Sequence, residues 1–271
     1  MARGCRAVIA AALLVTAMLS RAAEPGELAA EVAAAPASSE PWRASGVYSH
    51  SALSAGRPDW DQAALRIQRA LAPGFFLAGF TDAQRRPPET DTGYGADFSW
   101  YPTRTLEWRG AAMFVPGADF LARQTYGTGL EWRATPLLSI AADYKRQNFS
   151  DGPVDQISPA FMLWFDNDQT WLVARYSYGR AFHEQDFHSF SARLVAGMPD
   201  DGRLTIVYAH GADPEKDPGV PGVLLTNATT YAAYYRLKLR GSFALILGAE
   251  YEDRPGFYTR TTASLGFDAA F

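Results

Sequence analysis

Four histidines, His50, His183, His188 and His210, are the side chains with which this chain could move protons near neutral pH. A histidine and a serine two residues apart on a strand share one face, and the imidazole can then deprotonate the hydroxyl. The residues two positions after the four histidines are Ala52, Gln185, Phe190 and Ala212, so no such pair exists. Ser49, Ser51 and Ser189 stand directly beside histidines, which on a strand turns them to the opposite face. A nucleophilic centre would have to be assembled across strands, and no catalytic residue is assigned. Metal chemistry has as little support. No two histidines have the spacing of a zinc pair, and the single cysteine, Cys5, lies ahead of an N-terminal apolar run. The acidic stretch Asp213 to Asp217 lacks the ordered glycine and the terminal glutamate of a calcium loop. DTGYGAD, at 91–97, lies inside an alternating run instead of opening a helix, so it is no phosphate cradle. The sequence implies neither a metal nor a cofactor.

The larger chemical resource is a set of charges on one parity of successive segments. It comprises Arg66, Asp97, Glu107, Arg109, Glu131, Asp143, Lys145, Arg175, Arg193, Arg236, Lys238 and Glu250, with Arg260 near the end. Trp164, Trp171, Tyr101, Tyr234 and Tyr258 share that parity. Facing rows of acids and bases either pair with one another in a wet interior or hold and guide a solute. The aromatics either pack as a plug or stack on sugar rings.

These residues need a wall with two faces. In 94–101, Tyr94, Ala96, Phe98 and Trp100 oppose Gly95, Asp97, Ser99 and Tyr101. In 106–114, Leu106, Trp108, Gly110, Ala112 and Phe114 oppose Glu107, Arg109, Ala111 and Met113. The same period-two pattern recurs at 126–132, 138–145 and 231–240. The apolar face repeatedly ends in aromatics while the opposite face carries full charges, which is the reverse of a soluble sandwich and the weak signature of a transmembrane barrel. Strands are predicted near 46–54, 60–71, 74–82, 92–102, 104–115, 122–134, 136–147, 154–166, 168–179, 186–198, 202–211, 227–240, 242–252 and 256–271. Short links follow the even strands. Longer ones, such as 81–91 and 211–227, follow odd strands. Short periplasmic turns, longer outer loops and an even strand count fit a bacterial barrel. The fold class is therefore all-β, an antiparallel transmembrane β-barrel of about fourteen strands, with twelve or sixteen also compatible because the first three strands alternate poorly. In a wet lumen, arginine at inward Thr262 is expected to cost much less than at outward Leu237 or Leu245.

At the N-terminus Arg3 and Arg6 precede the apolar run Ala7 to Leu19, and Ser20 and Ala22 fit a small-x-small cleavage site. The domain reading is a cleaved signal peptide at 1–22, a flexible periplasmic lead-in at 23–44 and the barrel at 45–271. The location expected is the outer membrane of a Gram-negative bacterium. Outer-membrane lipid is one partner, and the terminal strand ending at Phe271 fits recognition by the barrel-assembly machinery. A net charge of −4 gives no hint of nucleic-acid binding.

The segments GVYSHSA at 46–52, ETDTGYGADFSWYP at 89–102 and LGFDAAF at 265–271 resemble the YaiO family of outer-membrane β-barrels. The resemblance runs from about Gly46 to Phe271. It implies a barrel fold and an association with envelope polysaccharide, and it carries over no catalytic residue. Three functions fit the sequence. The first is a channel or export conduit for small solutes or exopolysaccharide. The second is a closed structural barrel whose outer loops bind a partner. The third, a lipid-modifying barrel enzyme, is disfavoured by the missing His-x-Ser pair.

Overall fold

The computed structural model describes residues 42–165, 169–182, 185–216 and 223–271. The expected signal peptide, almost all of the lead-in, His183 and Asp217 lie outside them. Fourteen antiparallel strands close into one barrel: β1 (Trp42–Leu53), β2 (Trp60–Ala72), β3 (Phe75–Arg86), β4 (Glu89–Thr103), β5 (Leu106–Phe114), β6 (Gln124–Thr135), β7 (Leu138–Phe149), β8 (Gly152–Trp164), β9 (Trp171–Ala181), β10 (Gln185–Gly197), β11 (Arg203–Glu215), β12 (Leu224–Arg240), β13 (Phe243–Arg254) and β14 (Tyr258–Ala270). Each strand pairs with its neighbours in sequence, and β1 closes on β14. Closure leaves no edge, so every wall strand finds its backbone partners inside the sheet, which lipid requires. At the seam the Trp42 and Phe271 backbones exchange two hydrogen bonds, of 3.0 and 2.9 Å.

The two faces are inverted relative to a soluble protein. Leu130, Leu247 and Leu265 point outward with 52%, 45% and 55% of their surface exposed. Glu107, Arg109, Lys145, Glu250 and Arg260 point inward and are buried. Such a surface is stable against hydrocarbon and not against water. The outward aromatics are sorted by type. Trp42, Trp100, Trp108 and Trp132 lie toward the rim of the short turns, whereas Tyr94, Tyr126, Tyr208, Tyr231 and Tyr251 lie toward the other rim. These are the two interfacial belts.

On the short-turn rim, two residues join β2 to β3, β4 to β5, β6 to β7 and β12 to β13. Just before each of these turns the register shifts, at Ala70/Ala72, Trp100/Thr103, Arg133/Thr135 and Lys238/Arg240. A bulge there adds the twist that lets a tight turn meet a twisted ladder. Gly241 turns the last of them with φ of 60°, a conformation that costs glycine nothing.

The opposite rim corrects part of the sequence reading. The expected long loop at 81–91 is mostly strand: β3 runs to Arg86, β4 starts at Glu89, and only Pro87–Pro88 connects them. The expected loop at 211–227 is likewise entered by β11 to Glu215 and left by β12 from Leu224. The first strand begins at Trp42, four residues early. Dense charge and proline mimic a loop in sequence, yet Asp82, Gln84 and Arg86 keep the inward parity of β3.

Candidate functional site

The interior of the barrel holds the chemistry, in three tiers. At the short-turn end Asp268 on β14 accepts from Arg43 of β1 at 2.5 and 2.7 Å and from Arg236 of β12 at 2.7 Å. Arg203 of β11 lies 5.3 Å over the Trp171 ring, and Arg133 of β6 lies 4.9 Å over Trp164. The two tryptophans pack together at 5.2 Å, with Met162, Val173 and Val195 around them. Their inward direction is the one expected from parity, and their neighbours make them wall packing and not open platforms.

The middle tier contains most of the predicted charges. Arg109 on β5 donates to Asp143 on β7 at 2.7 and 3.1 Å, with Glu131 at 3.7 Å and Glu107 at 3.9 Å from its guanidinium. Arg175 of β9 reaches the other oxygen of Asp143 at 3.2 Å. Gly129 of β6 lies beneath the pair, where an added Cβ would stand 2.0 Å from Asp143 Oδ1. The ion pair therefore lies flat against the wall because that strand has no side chain there. Arg66 of β2 and Asp97 of β4 make a second pair, at 2.7 and 3.0 Å, over the small Ala78. Lys145 and Arg193 face the same interior from β7 and β10. On the opposite wall Val47, Val207, Ala232, Tyr234 and Ile246 form an apolar cluster within the lumen. The Tyr234 ring lies flat over Gly248, where a Cβ would approach it to 2.4 Å.

The outer tier was not recognised in the sequence. Glu215, at the end of β11, accepts from Arg86 of β3 at 2.9 Å, from Arg254 of β13 at 2.8 Å and from the Tyr258 hydroxyl at 2.9 Å. Since β3 and β11 lie almost opposite each other in the ring, the Arg86–Glu215 pair bridges the barrel mouth. The network continues through Arg254 to Glu252 at 2.8 Å, Glu252 to Arg260 at 2.9 Å, and Arg260 to the predicted Glu250 at 3.3 Å. Arg86 is also sandwiched between the rings of Trp60, at 4.2 Å, and Phe120, at 4.9 Å.

Phe120 belongs to the segment 115–123 between β5 and β6, which folds into the mouth with Val115, Phe120 and Leu121 buried. The carboxylate of Asp91 on β4 holds it there. It accepts the backbone N–H groups of Asp119 at 3.0 Å, Phe120 at 2.9 Å and Leu121 at 2.7 Å. From the other side Ala212, Val223 and Leu225 of the β11–β12 hairpin pack against buried Phe149, Val154 and Phe187. Lys216 ties the hairpin to the β7–β8 turn through Asp151, at 3.3 Å, and Ser150. Loop and hairpin together cap the outer mouth.

The predicted charges lie on the inward face of their strands, and one of them, Lys238, lies at the short-turn rim. There it donates to Asp201 of the β10–β11 turn at 2.5 Å. This neighbour holds the exposed Asp201 carboxyl below its usual range. Arg86, Glu215, Arg254, Asp268 and Asp91 were missed. Arg86, Glu215 and Arg254 fall in stretches read as links, Asp268 lies on the polar face of the last predicted strand without being singled out, and Asp91, at the end of the 81–91 link, acts on a loop whose path no local pattern reveals.

The three described histidines form pairs on the outer surface, each incomplete as a catalytic unit among the described residues. His50 meets Asp61 at 2.9 Å, His188 meets the Tyr176 hydroxyl at 2.5 Å, and His210 meets the Thr229 hydroxyl at 2.9 Å. His50 has an acid without a serine, and His210 a hydroxyl without an acid. No cluster of metal ligands occurs among the described residues.

No known protein family matches the sequence, and no curated protein matches it either. Solved structures do. A monoaromatic hydrocarbon channel, CymD, superposes with a TM-score of 0.64 at 8% identity, over 96% of this chain and 94% of that one. A bacterial polysaccharide outer membrane secretin gives 0.56 at 8% identity, over 87% of this chain and 100% of that one. The Acinetobacter baumannii outer membrane protein Omp33 gives 0.51 at 10% identity, over 86% and 98%. The fold is that of the outer-membrane β-barrels. The lipid-facing belts and this fold are consistent with an outer-membrane location, and bacterial barrels of this class carry their short turns on the periplasmic side.

Proposed function

We propose that this barrel is a gated channel for small polar solutes, or a conduit for envelope polysaccharide, closed at its outer mouth in the resting state. The observation that carries the reading is the separability of the cap. The β5–β6 ladder ends at Phe114 and Gln124, so the segment 115–123 lies beyond the paired wall; it is pinched at its neck by the Val115 N–H to the Arg123 carbonyl and held in the mouth by the Asp91 carboxylate, by Arg86 on the Phe120 ring and by a few apolar side chains. A fourteen-stranded ring lies between barrels of about eight strands, filled by side chains, and those of about sixteen that enclose water. Displacing the cap would expose a lumen lined with Arg66, Asp97, Arg175 and Arg193, in which fixed charges act on a solute at close range. The structural likeness to channels and to a polysaccharide secretin supports the class but not the solute. Membership of the YaiO family remains our reading of the quoted segments, as does recognition of the terminal strand by the barrel-assembly machinery.

A second reading has its own support. Glu107, Arg109, Lys145 and Glu250 are each at most 5% exposed, as in a barrel that is simply filled. Such a barrel would serve as a scaffold for its outer surface. Conductance in planar bilayers separates the two. Discrete openings of the wild-type chain, more frequent when 115–123 is shortened to a tight turn, support the channel. A folded barrel silent in both forms would overturn it.

A further inference from the structure

The lipid-facing side of β2, β3 and β4 carries a groove of about 650 Å³ that the lumen does not explain. Its size falls in the range of small-ligand sites, about 300–1,000 Å³. Gly79 and Ala96 stand opposite each other on β3 and β4 and form a low floor. Leu65, Ile67 and Leu77 rise around them. An added Cβ at Gly79 would meet only Gly95 O, at 4.0 Å, so the glycine serves no close backbone approach and leaves open space.

One end of the groove is polar. Arg69 is outward and exposed, stands opposite Trp42 in the β1–β2 register, and places its guanidinium 4.9 Å from the indole centroid. Among the described residues no carboxylate pairs with it. Trp42 belongs to the tryptophan belt of the short-turn rim, the level at which lipid phosphates lie. An outward arginine held on an aromatic ring at that depth is complementary to a phosphate. From Arg69 up to Leu65, opposite Thr81, the groove follows four residues of strand. At about 3.3 Å per residue and a strand tilt of about 40°, this run reaches about 10 Å along the membrane normal, about two-thirds of one leaflet of a hydrocarbon core about 30 Å thick.

We propose that this groove binds one glycerophospholipid of the periplasmic leaflet, with its phosphate on Arg69 and an acyl chain lying over Gly79 and Ala96. The proposal is independent of whether the lumen conducts. A lipid of the opposite leaflet would bring its phosphates to the tyrosine rim, away from Arg69.

The test is native mass spectrometry of the folded full chain, released from detergent after incubation with dioleoylphosphatidylglycerol. Wild type should retain one lipid. Arg69→Gln should weaken retention on the order of tenfold, as loss of a charge-assisted hydrogen bond implies. Gly79→Leu, or Ala96→Leu as a second way of filling the floor, should weaken it as much. Leu130→Ala, outward on another part of the wall, should leave it unchanged. Heat-modifiable gel mobility verifies folding of each variant. Equal retention by all variants would reduce the groove to ordinary annular contact and overturn the proposal. So would loss in Gly79→Leu with full retention in Arg69→Gln, or preference for lipid A in a mixed incubation.

Discussion

Replacing Asp91 with alanine tests whether the cap over the mouth is a latch. The Asp91 side chain is 2% exposed and accepts the N–H groups of three consecutive residues, at 3.0, 2.9 and 2.7 Å. A hydrogen bond to a charged group contributes about 1.5–3 kcal/mol. The three share one carboxylate and the freed amides can hydrate, so their effects do not add, and about 3 kcal/mol is a fair value for the set. That corresponds to roughly a hundredfold shift in the opening equilibrium. The loop would still be seated by Val115, Phe120 and Leu121, whose burial is worth about 1.5–3 kcal/mol for each large side chain. Asp91→Ala should therefore give frequent brief openings and not a permanently open pore. The assay is hydrogen exchange of the 119–121 amides in lipid nanodiscs, paired with single-channel recording. Exchange should quicken about a hundredfold if those amides exchange by local opening. Asp91→Asn, which keeps one acceptor oxygen, should fall between. Unchanged exchange would refute the latch. Faster exchange with unchanged conductance would remove the loop from the gate and leave the Glu215 network, or a filled barrel, in its place.

Other consequences can be measured alongside. Gly129→Ala should cost about 3 kcal/mol, because the new Cβ lies 2.0 Å from Asp143 Oδ1 and drives apart a buried ion pair; an unchanged urea midpoint for refolding into vesicles would contradict this. Leu247→Arg should cost about 2–4 kcal/mol near the bilayer midplane. Thr262→Arg, expected from sequence to be cheap, should cost about 1–3 kcal/mol, since Thr262 is 1% exposed and bonded to Ser51 at 2.8 Å. Changing Arg66, Arg175, Arg193 and Arg236 together to glutamine should move the reversal potential of an open channel toward cation selectivity, and unchanged selectivity would take them out of the pathway. Finally, Lys238 lowers the Asp201 pKa in the folded state, so this pair stabilises above the ordinary carboxylate pKa and the effect is lost as pH falls through the lowered value. The difference in thermal midpoint between wild type and Lys238→Ala should accordingly vanish in acid, and a difference that grows there would reverse the sign.

The walls of this barrel were legible because a strand obeys a local rule. Side chains alternate, and a membrane wall makes the two faces chemically opposite, so Leu130 outward and Arg109 inward could be read from spacing alone. The same rule gave about fourteen strands, with twelve or sixteen left open, and the lengths of the links between them marked the short-turn rim. Local rules ended where the chain leaves the lipid. Charge and proline at 81–91 signal a loop in most proteins, and only the pairing of Asp82 and Gln84 with β2 and β4, and of Arg86 with β4, makes that stretch strand. Parity tells which way a side chain points, but not what lies across the lumen. Whether Arg109 meets water or Asp143 depends on Gly129, one strand away and some twenty residues along the chain. The bridge from Arg86 to Glu215 joins residues 129 apart in sequence, and Asp91 grips amides 28 to 30 residues downstream. Local spacing specifies a two-faced wall. Only closure of the ring decided which charges meet, and so whether its mouth is shut, because that depends on curvature and register summed over every strand.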